Sequence, residues 1–303
     1  MNNSIHNRLS EFLSDSQILI NEPMKNHTTF KVGGPADFLV NPNSEDELIG
    51  VLSLCKEASV PFYIIGNGSD LLVSDKGFRG VIIRFLENYS EINVFEEKIK
   101  AQSGALLKNV SLKALEAGLT GLEFAFGIPG TIGGACVMNA GAYDSELKNV
   151  IESVRVLTKE HEIRVFSCEE MEFGYRTSRI SKENDIVLEA VFSLKKGDTA
   201  QIKAKMDDFQ SRRKSKQPLE YPSAGSTFKR PEGYFAGKLI QEAGLSGFRI
   251  GGACVSEKHC GFVINAGNAT AKDVYDVIKG VQERVFRNSG VNLSPEIKFL
   301  GEF

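Results

Sequence analysis

Three short motifs hold the side chains that are best suited to chemistry. Arg176 lies between a tyrosine and a threonine, where its planar guanidinium could bind a carboxylate or a flavin edge. Ser226 lies among small residues, and its hydroxyl could give a proton to a strongly basic carbanion or enolate. Glu296 opens a predicted terminal strand, and an anionic substrate beside it would shift its carboxyl toward the protonated form. Taken singly, each residue is also typical of a solvated surface or a turn.

The elements that must position these side chains begin with a series of glycine-rich loops. Three loops share this composition: 66–72, 126–134 and 139–141. Glycines allow bare backbone N–H groups to approach a large anionic ligand closely. The first loop has Leu71 where a dinucleotide fingerprint needs its third glycine, and Gly237-Lys238 is followed by Leu239 where a Walker loop needs Ser or Thr. Together the loops favour a nucleotide cofactor held mainly by backbone, on neither a Rossmann loop nor a P-loop.

A basic segment at 212–216 is compatible with two interpretations. Lysine and arginine at the end of a polar helix are commonly solvated, and they suit the helix dipole. The same cations, with Lys229 and Arg230 shortly after, could instead bind a diphosphate. No Gly-x-Ser-x-Gly elbow and no neighbouring base accompany Ser226, so a hydrolase triad is not expected.

Composition limits the class of protein. The chain has 303 residues, a hydrophobic content of 42% and a net charge of −3, which gives no global attraction for nucleic acid or for an anionic membrane. No apolar run is long enough to span a bilayer, and the N-terminus lacks a signal pattern, so we expect a cytoplasmic protein. The five cysteines form no Cys-x-x-Cys motif and indicate reduced thiols. His259-Cys260 lacks partners at ligand spacing, and no metal is expected there.

Hydrophobic periodicity predicts mixed helices and strands. Residues 1–25 are interpreted as a helical N-terminal extension, and Thr28–Val40 predicts two strands joined by a turn. Ser44 caps an amphipathic helix. A polar helix over 200–216 marks a predicted domain boundary, and the remainder predicts a smaller α/β unit. In that unit Thr270 caps a predicted helix with the apolar stripe Val274, Val277, Ile278, Val281 and Val285.

At this point the residues resemble a known family. Asn26–Gly34, the Gly66–Leu72 loop and Gly127–Gly134 are similar to the UDP-N-acetylenolpyruvoylglucosamine reductase (MurB) family, as are Tyr175-Arg176, Gly225–Lys229 and Pro295–Lys298. The glycine loops alone would indicate only the wider flavin fold of vanillyl-alcohol oxidase relatives. The resemblance implies an α+β fold: a two-part FAD-binding region of the vanillyl-alcohol oxidase-like (PCMH-type) kind and a C-terminal α/β substrate-binding domain. The corresponding ranges are 1–25, 26–200 with a split near 86–90, and 201–303.

The resemblance also implies a reaction and its residues. NADPH would reduce a non-covalent FAD, which would reduce UDP-N-acetylglucosamine enolpyruvate to UDP-N-acetylmuramate for peptidoglycan precursors. Arg176 would clamp the carboxylate, Glu296 would complete the clamp and Ser226 would protonate C2. The implied substrate contacts are Tyr175, Arg213, Lys216 and Lys229. The implied cofactor contacts are Gly66, Asn67, Gly68, Ser69, Asp70, Leu71, Gly127, Ile128, Pro129, Gly130, Thr131, Gly133, Gly134, Ala140, Gly141 and Val187.

The short path from Arg176 to Ser226 resembles the compact, type II form of the family, which lacks a loop with a substrate-clamping tyrosine. Two departures stand out: Arg230 occupies a position where relatives often have Asn, and His259 one where some have Gln. Two other classes stay open, another FAD-dependent oxidoreductase of the same fold acting on an alcohol or sugar, and a non-catalytic nucleotide-sugar or flavin-binding protein. The sequence does not predict an oligomeric state.

Overall fold

Helices and strands alternate along residues 2–303, which are the residues that the computed structural model describes. The α-helices are α1 (Asn2–Leu9), α2 (Glu45–Glu57), α3 (Leu107–Glu116), α4 (Ile132–Met138), α5 (Arg179–Glu183), α6 (Thr199–Lys216), α7 (Ala236–Glu242) and α8 (Ala271–Ser289). The strands are β1 (Ile18–Pro23), β2 (Pro35–Val40), β3 (Phe62–Ile65), β4 (Leu71–Val73), β5 (Phe78–Arg84), β6 (Ile92–Phe95), β7 (Lys98–Gln102), β8 (Leu119–Thr120), β9 (Gly141–Ala142), β10 (Ser145–Glu146), β11 (Ile151–Leu157), β12 (Ile163–Ser167), β13 (Ile186–Ser193), β14 (Lys195–Lys196), β15 (Arg249–Ile250), β16 (Ala253–Val255), β17 (Val263–Asn265) and β18 (Lys298–Leu300). Short 3-10 helices occupy Asp15–Gln17, Met24–Asn26, Glu87–Tyr89, Glu123–Ala125 and Leu147–Asn149.

The first sheet is mixed and has the strand order β1-β2-β5-β3. β1 is antiparallel to β2, whereas β5 is parallel to both β2 and β3. Helix α2 covers this sheet and buries Leu48, Val51 and Leu52. The helix begins where the Ser44 hydroxyl accepts a bond from the Glu47 N–H at 3.2 Å, as the sequence predicts.

Two segments before this helix differ from the sequence predictions. Within the predicted helical extension, β1 forms five residue pairs with β2, so the first sheet starts before residue 26. The stretch Thr28–Val32 is a turn instead of a strand, because the Thr28 hydroxyl bonds to the Val32 carbonyl and Lys31 adopts φ = 57°. The β-branched residues of this stretch therefore lie in a turn and not in a strand.

The second sheet is antiparallel throughout, in the order β12-β11-β13-β7-β6. Helices α3 and α4 pack on it, and they bury Leu107, Val110 and Ile132 in one core with the strand residues Ile99 and Val154. The predicted split near 86–90 falls between the last strand of the first sheet and the first strand of this one. The domain ranges themselves stay a prediction.

The C-terminal part is built on the small antiparallel sheet β15-β16-β17. Helix α8 packs on that sheet through the predicted stripe of Val274, Val277, Ile278, Val281 and Val285, which are all fully buried. The last strand leaves this unit, since β18 pairs in parallel with β4, directly after the first glycine loop. The chain therefore returns at its end to the cofactor side of the molecule.

These antiparallel and mixed sheets with segregated helices confirm the α+β class. Within residues 2–303, no helix is both long and apolar enough to cross a membrane.

Asp75 joins the first glycine-loop region to the C-terminal helix, and its removal is expected to lower stability. Its carboxylate accepts bonds from the backbone N–H groups of Ala271 at 2.8 Å and of Lys272 at 2.9 Å, at the start of α8. Asp75→Ala should lower the free energy of unfolding by about 0.5–2 kcal/mol, which is the range for losing a helix-capping acceptor. Urea denaturation measures this.

Asp207→Ala is the matched control for Asp75, because Asp207 is an exposed carboxylate that pairs only with Lys203 on its own helix. It should change stability by less than about 0.5 kcal/mol. Equal effects of the two substitutions would contradict the role of Asp75 as a bridge.

Candidate active site

The first two glycine loops interlock, and small residues are required where they meet. The Asn67 side-chain amide donates to the Pro129 carbonyl at 2.7 Å. A Cβ placed on Gly66 would lie 2.1 Å from Thr131 Oγ1, and one on Gly68, at φ = 58°, would lie 2.0 Å from the His27 carbonyl oxygen. Both positions exclude any side chain, so the first loop packs closely on the second loop at Gly66 and on the His27 turn at Gly68.

A cavity of about 570 Å³ opens at this junction. Gly66, Asn67 and Pro129 of the interlocked loops line one part of its wall. The turn at 26–31 and residues 217–225, after helix α6, line further parts. The size suits an organic cofactor, since ligand sites in proteins typically occupy about 300–1,000 Å³.

Unpaired polar atoms around these loops fit a bound nucleotide. Among residues 2–303, six buried side-chain polar atoms find no hydrogen-bond partner. Four of them are near the glycine loops: the hydroxyls of Thr29 and Ser103, one carboxylate oxygen of Asp70 and the amide oxygen of Gln217. A buried polar group without a partner is costly. The donors and acceptors that a flavin nucleotide presents would satisfy such groups, so the residues fit FAD.

Arg176 is held in a strained turn. Gly174 and Thr177 exchange two backbone hydrogen bonds, at 3.0 and 3.4 Å, and leave Tyr175 and Arg176 at the tip. Arg176 has φ = 54°, a left-handed conformation that costs about 1–3 kcal/mol for such a residue. Strain of this kind persists where the surrounding contacts impose it, as at a ligand site.

The Arg176 guanidinium is fixed by two elements that are distant in sequence. Its Nε donates to Glu296 Oε1 at 2.6 Å, and its Nη2 donates to the carbonyl of Gly141, in the third glycine loop, at 3.3 Å. The two side chains of this ion pair are only 21% and 14% exposed. The arginine is therefore presented in one orientation, with its charge only partly solvated.

Ser226 lies beside this ion pair. The segments that carry Ser226 and Glu296 are joined, because the Glu296 N–H donates to the Thr227 carbonyl at 2.9 Å and Phe228 pairs with Pro295. Arg176, Ser226 and Glu296 line one cavity of about 440 Å³. The structure thus brings all three predicted catalytic side chains to one cleft, and Ser226 is exposed there.

Two carboxyl groups beside this cleft have raised pKa values. Burial raises the pKa of Glu296, although the charges of Arg176, Lys229 and Lys298 partly offset this effect. Burial also raises the pKa of Asp70 to about 7, and the negative charge of Glu296 adds to the shift. The Asp70 carboxyl is therefore close to half protonated at pH 7, and in its protonated form it could donate a hydrogen bond to developing negative charge.

The other predicted cofactor residues lie in the same three loops, with one exception. Val187 is in β13 and is buried in the core that it shares with Ile132 of the second loop. The remaining residues belong to the loops described above: Ser69, Leu71, Gly127, Ile128, Gly130, Gly133, Gly134 and Ala140.

The predicted substrate contacts divide into two groups. Tyr175 lines the cleft with the catalytic side chains, and Lys229 is close enough to act on the charges of Glu296 and Asp70. Arg213 lies elsewhere, because it lines the 570 Å³ cavity and its side chain packs against Gly127. Lys216 is exposed and lines neither of the two cavities. Of the basic segment 212–216, it is therefore Arg213 that lies beside the glycine loops.

Several residues of the two cavities are absent from the sequence-based list. Lys238 and Phe235 line the 440 Å³ cleft, together with Arg230, whose guanidinium stacks on the Phe235 ring at 4.0 Å. His27 and Arg84 line the larger cavity. Two of these residues carry a signal in the sequence: His27 lies inside the Asn26–Gly34 motif, and Arg230 follows Lys229 after the basic segment.

Comparison with known proteins agrees with this geometry. Residues 36–167 match the family described as an FAD binding domain, and residues 217–300 match the C-terminal domain of UDP-N-acetylenolpyruvoylglucosamine reductase. A protein of Clostridium perfringens with the name UDP-N-acetylenolpyruvoylglucosamine reductase is 55% identical over 293 residues, which are 97% of this chain and 96% of that protein.

The chain belongs to the UDP-N-acetylenolpyruvoylglucosamine reductase family. A relative with the same name from Clostridioides difficile is 51% identical and covers 99% of both chains. The crystal structure of a family member, MurB from Thermus caldophilus, superposes with a TM-score of 0.80 at 35% identity, and the match covers 94% of this chain and 98% of that one. Family membership and the FAD-binding fold, both predicted from the sequence motifs, are confirmed.

Proposed function

We propose that this chain catalyses the NADPH-dependent reduction of UDP-N-acetylglucosamine enolpyruvate to UDP-N-acetylmuramate, with non-covalent FAD as its cofactor, in peptidoglycan precursor synthesis. The observation that carries the proposal is the convergence of Arg176, Ser226 and Glu296 on one cleft beside the glycine loops. Their order and types are those that the family resemblance implies, and the curated relatives cover nearly the whole chain.

FAD, when bound, carries an electron pair from NADPH to the substrate. The side chains of the cleft supply binding, orientation and a proton. Arg176 binds the enolpyruvyl carboxylate, and its bonds to Glu296 and Gly141 fix the plane of the guanidinium for this contact. Because Arg176 and Glu296 are both partly buried, the attraction between the guanidinium and the substrate carboxylate is stronger than it would be in water.

The proton step falls to Ser226. When C3 of the enolpyruvyl group accepts a hydride, negative charge develops at C2 and spreads into the carboxylate. Arg176 stabilises that charge, Glu296 completes the clamp once the anionic substrate shifts its carboxyl toward the protonated form, and the Ser226 hydroxyl gives its proton to C2. A serine can act as an acid here because the enolate is strongly basic.

Charges around the cleft suit the nucleotide part of the substrate. Arg230, Lys238 and Lys258 line the cavity outside the catalytic ion pair, and we propose that they and Lys229 face the diphosphate. Tyr175 forms one wall, because its hydroxyl accepts a hydrogen bond from the Arg230 N–H at 3.0 Å. The substrates themselves suggest a cytoplasmic location, which stays a prediction.

An anaerobic absorption experiment tests the proposed function. Purified protein should show a flavin spectrum that NADPH bleaches and that UDP-N-acetylglucosamine enolpyruvate restores. Bleaching without recovery would leave a flavoenzyme with another substrate, such as an alcohol or sugar. Absence of a flavin signal after addition of FAD would overturn the proposal and favour a nucleotide-sugar binding protein.

A further inference from the structure

A chain of three side chains, two of which line the 570 Å³ cavity, has no part in the reaction described above. Glu22 Oε1 lies 2.8 Å from His27 Nε2, and Arg84 Nη1 lies 2.7 Å from His27 Nδ1. Arg84 Nε also donates to the side-chain oxygen of Asn41 at 2.8 Å. His27 and Arg84 both line the cavity.

The chemistry of these bonds determines the protonation of His27. A guanidinium can only donate, so His27 Nδ1 must accept and cannot carry a hydrogen. The hydrogen then resides on Nε2, which donates to Glu22, and the ring is neutral. Burial and the charge of Arg84 both lower the pKa of His27, in agreement with this tautomer, although Glu22 acts in the opposite direction.

The position of Arg84 suggests what it holds. The backbone of the His27 turn packs on the first glycine loop, since the Thr29 N–H donates to the Gly68 carbonyl at 3.1 Å. Arg84 is thus fixed at the cavity wall beside a loop built for close approach of an anion, and neither Asn41 nor the neutral His27 neutralises its charge. Glu87 and Glu22 act on the charge of Arg84, but neither carboxylate bonds to its guanidinium. A half-buried guanidinium without a carboxylate partner favours an anionic ligand.

We propose that Arg84 binds a phosphate group of the flavin nucleotide, and that Glu22 and neutral His27 are positioning residues that hold its guanidinium toward the cavity. This inference rests on the proposed function only in taking FAD as the ligand. It adds residues outside the glycine loops to a site otherwise made mainly of backbone.

Titration of the FAD-free protein with FAD, followed by flavin fluorescence, tests the role of Arg84. Arg84→Met should raise the dissociation constant about tenfold to a hundredfold, which corresponds to the loss of a charge-assisted hydrogen bond. Arg84→Lys, which keeps the charge without the fork, should fall between Arg84→Met and the wild type. The matched control is Arg79→Met on the same strand, because Arg79 is 61% exposed, pairs with Asp37 and lines neither cavity. Its dissociation constant should stay within about twofold of the wild type.

The His27 variants test the positioning role in a protein that keeps Arg84. His27→Gln can still accept from Arg84 and donate to Glu22, whereas His27→Leu can do neither. We expect wild-type FAD affinity for the glutamine variant and a several-fold loss for the leucine variant. Equal affinities of these two variants would overturn the positioning role.

The outcomes separate this inference from the proposed function. If the wild type binds FAD and passes the NADPH test but Arg84→Met binds FAD equally well, the phosphate role of Arg84 is wrong and the function stands. If the wild type binds no FAD, both are wrong. Thermal unfolding of the FAD-free variants, followed by circular dichroism, shows whether the Arg84→Met protein folds. If it does not fold, the comparison of His27→Gln with His27→Leu alone tests the proposal.

Discussion

Ser226→Ala is expected to leave the reduction of the flavin by NADPH intact while slowing the recovery of flavin absorbance by about 10²–10⁴-fold. The substitution removes one hydroxyl from an exposed position at the cleft, and it disturbs neither the Arg176–Glu296 pair nor the Thr227 backbone bond to Glu296. Only the proton donation to C2 is lost, so the two half-reactions should separate. Stopped-flow absorbance with NADPH first, and with the enolpyruvyl sugar nucleotide second, measures both.

Ser215→Ala is the matched control for Ser226, because Ser215 is an exposed serine of α6 whose hydroxyl bonds only within its own helix. Both half-reactions should match the wild type in that variant. If Ser226→Ala lost FAD instead, the serine would be structural. Wild-type recovery in Ser226→Ala would show that the proton comes from another group.

Arg176→Lys is expected to lower kcat/KM by about 10²–10³-fold, a loss comparable to that of one donor to a developing oxyanion. A lysine keeps the charge, but its ammonium cannot hold Glu296 and Gly141 with two nitrogens while it faces a carboxylate. Stability should change little, since both residues carry a Cβ and the cost of the left-handed conformation remains. Steady-state kinetics and thermal unfolding check these two expectations separately.

Arg179→Lys is the control for Arg176, because Arg179 follows in the same region, faces Asp185 at 3.7 Å and lines neither cavity. Its kinetics should match the wild type. Near wild-type turnover in Arg176→Lys would mean that a point charge suffices there, and the proposed carboxylate clamp would then be wrong.

The sequence predicts the long, periodic elements well. The α8 stripe and the cap at Thr270 are local patterns, and the structure buries that stripe as expected. The early strand β1 is missed because its pairing partner lies beyond the turn at residues 24–34, and only that tertiary contact makes it a strand. The strand predicted at Thr28–Val32 is wrong for the opposite reason, because here a local contact decides the structure. Its β-branched residues suit a strand, but one threonine hydroxyl closes a turn under the glycine loop.

The residues of the candidate site likewise include some that sequence motifs indicate and others that only tertiary contacts reveal. Arg176, Ser226 and Glu296 could be chosen because motifs carry them, although nothing local shows that residues 120 positions apart form an ion pair. Arg84 carries no motif. In the sequence it is only the polar last residue of an apolar strand. The structure alone shows that it bonds to His27 and lies in the cavity wall. The basic neighbours of Arg213 favour a substrate contact, which stays a prediction, and only the structure shows that its side chain lies against Gly127 in the second glycine loop.

The parallel pairing of β18 with β4 has a consequence for how the enzyme is made. Leu71–Val73 emerge from the ribosome early, but their partner strand Lys298–Leu300 follows only after the second sheet and the C-terminal unit have been synthesised. At about 5–20 residues per second, the edge beside the first glycine loop waits roughly ten seconds or more for that partner. Glu296 arrives with it, so the ion pair with Arg176 can form only after that segment has been synthesised. A product that terminates in α8 lacks both this carboxylate and the partner strand of β4, so the proposed activity requires synthesis to continue past α8.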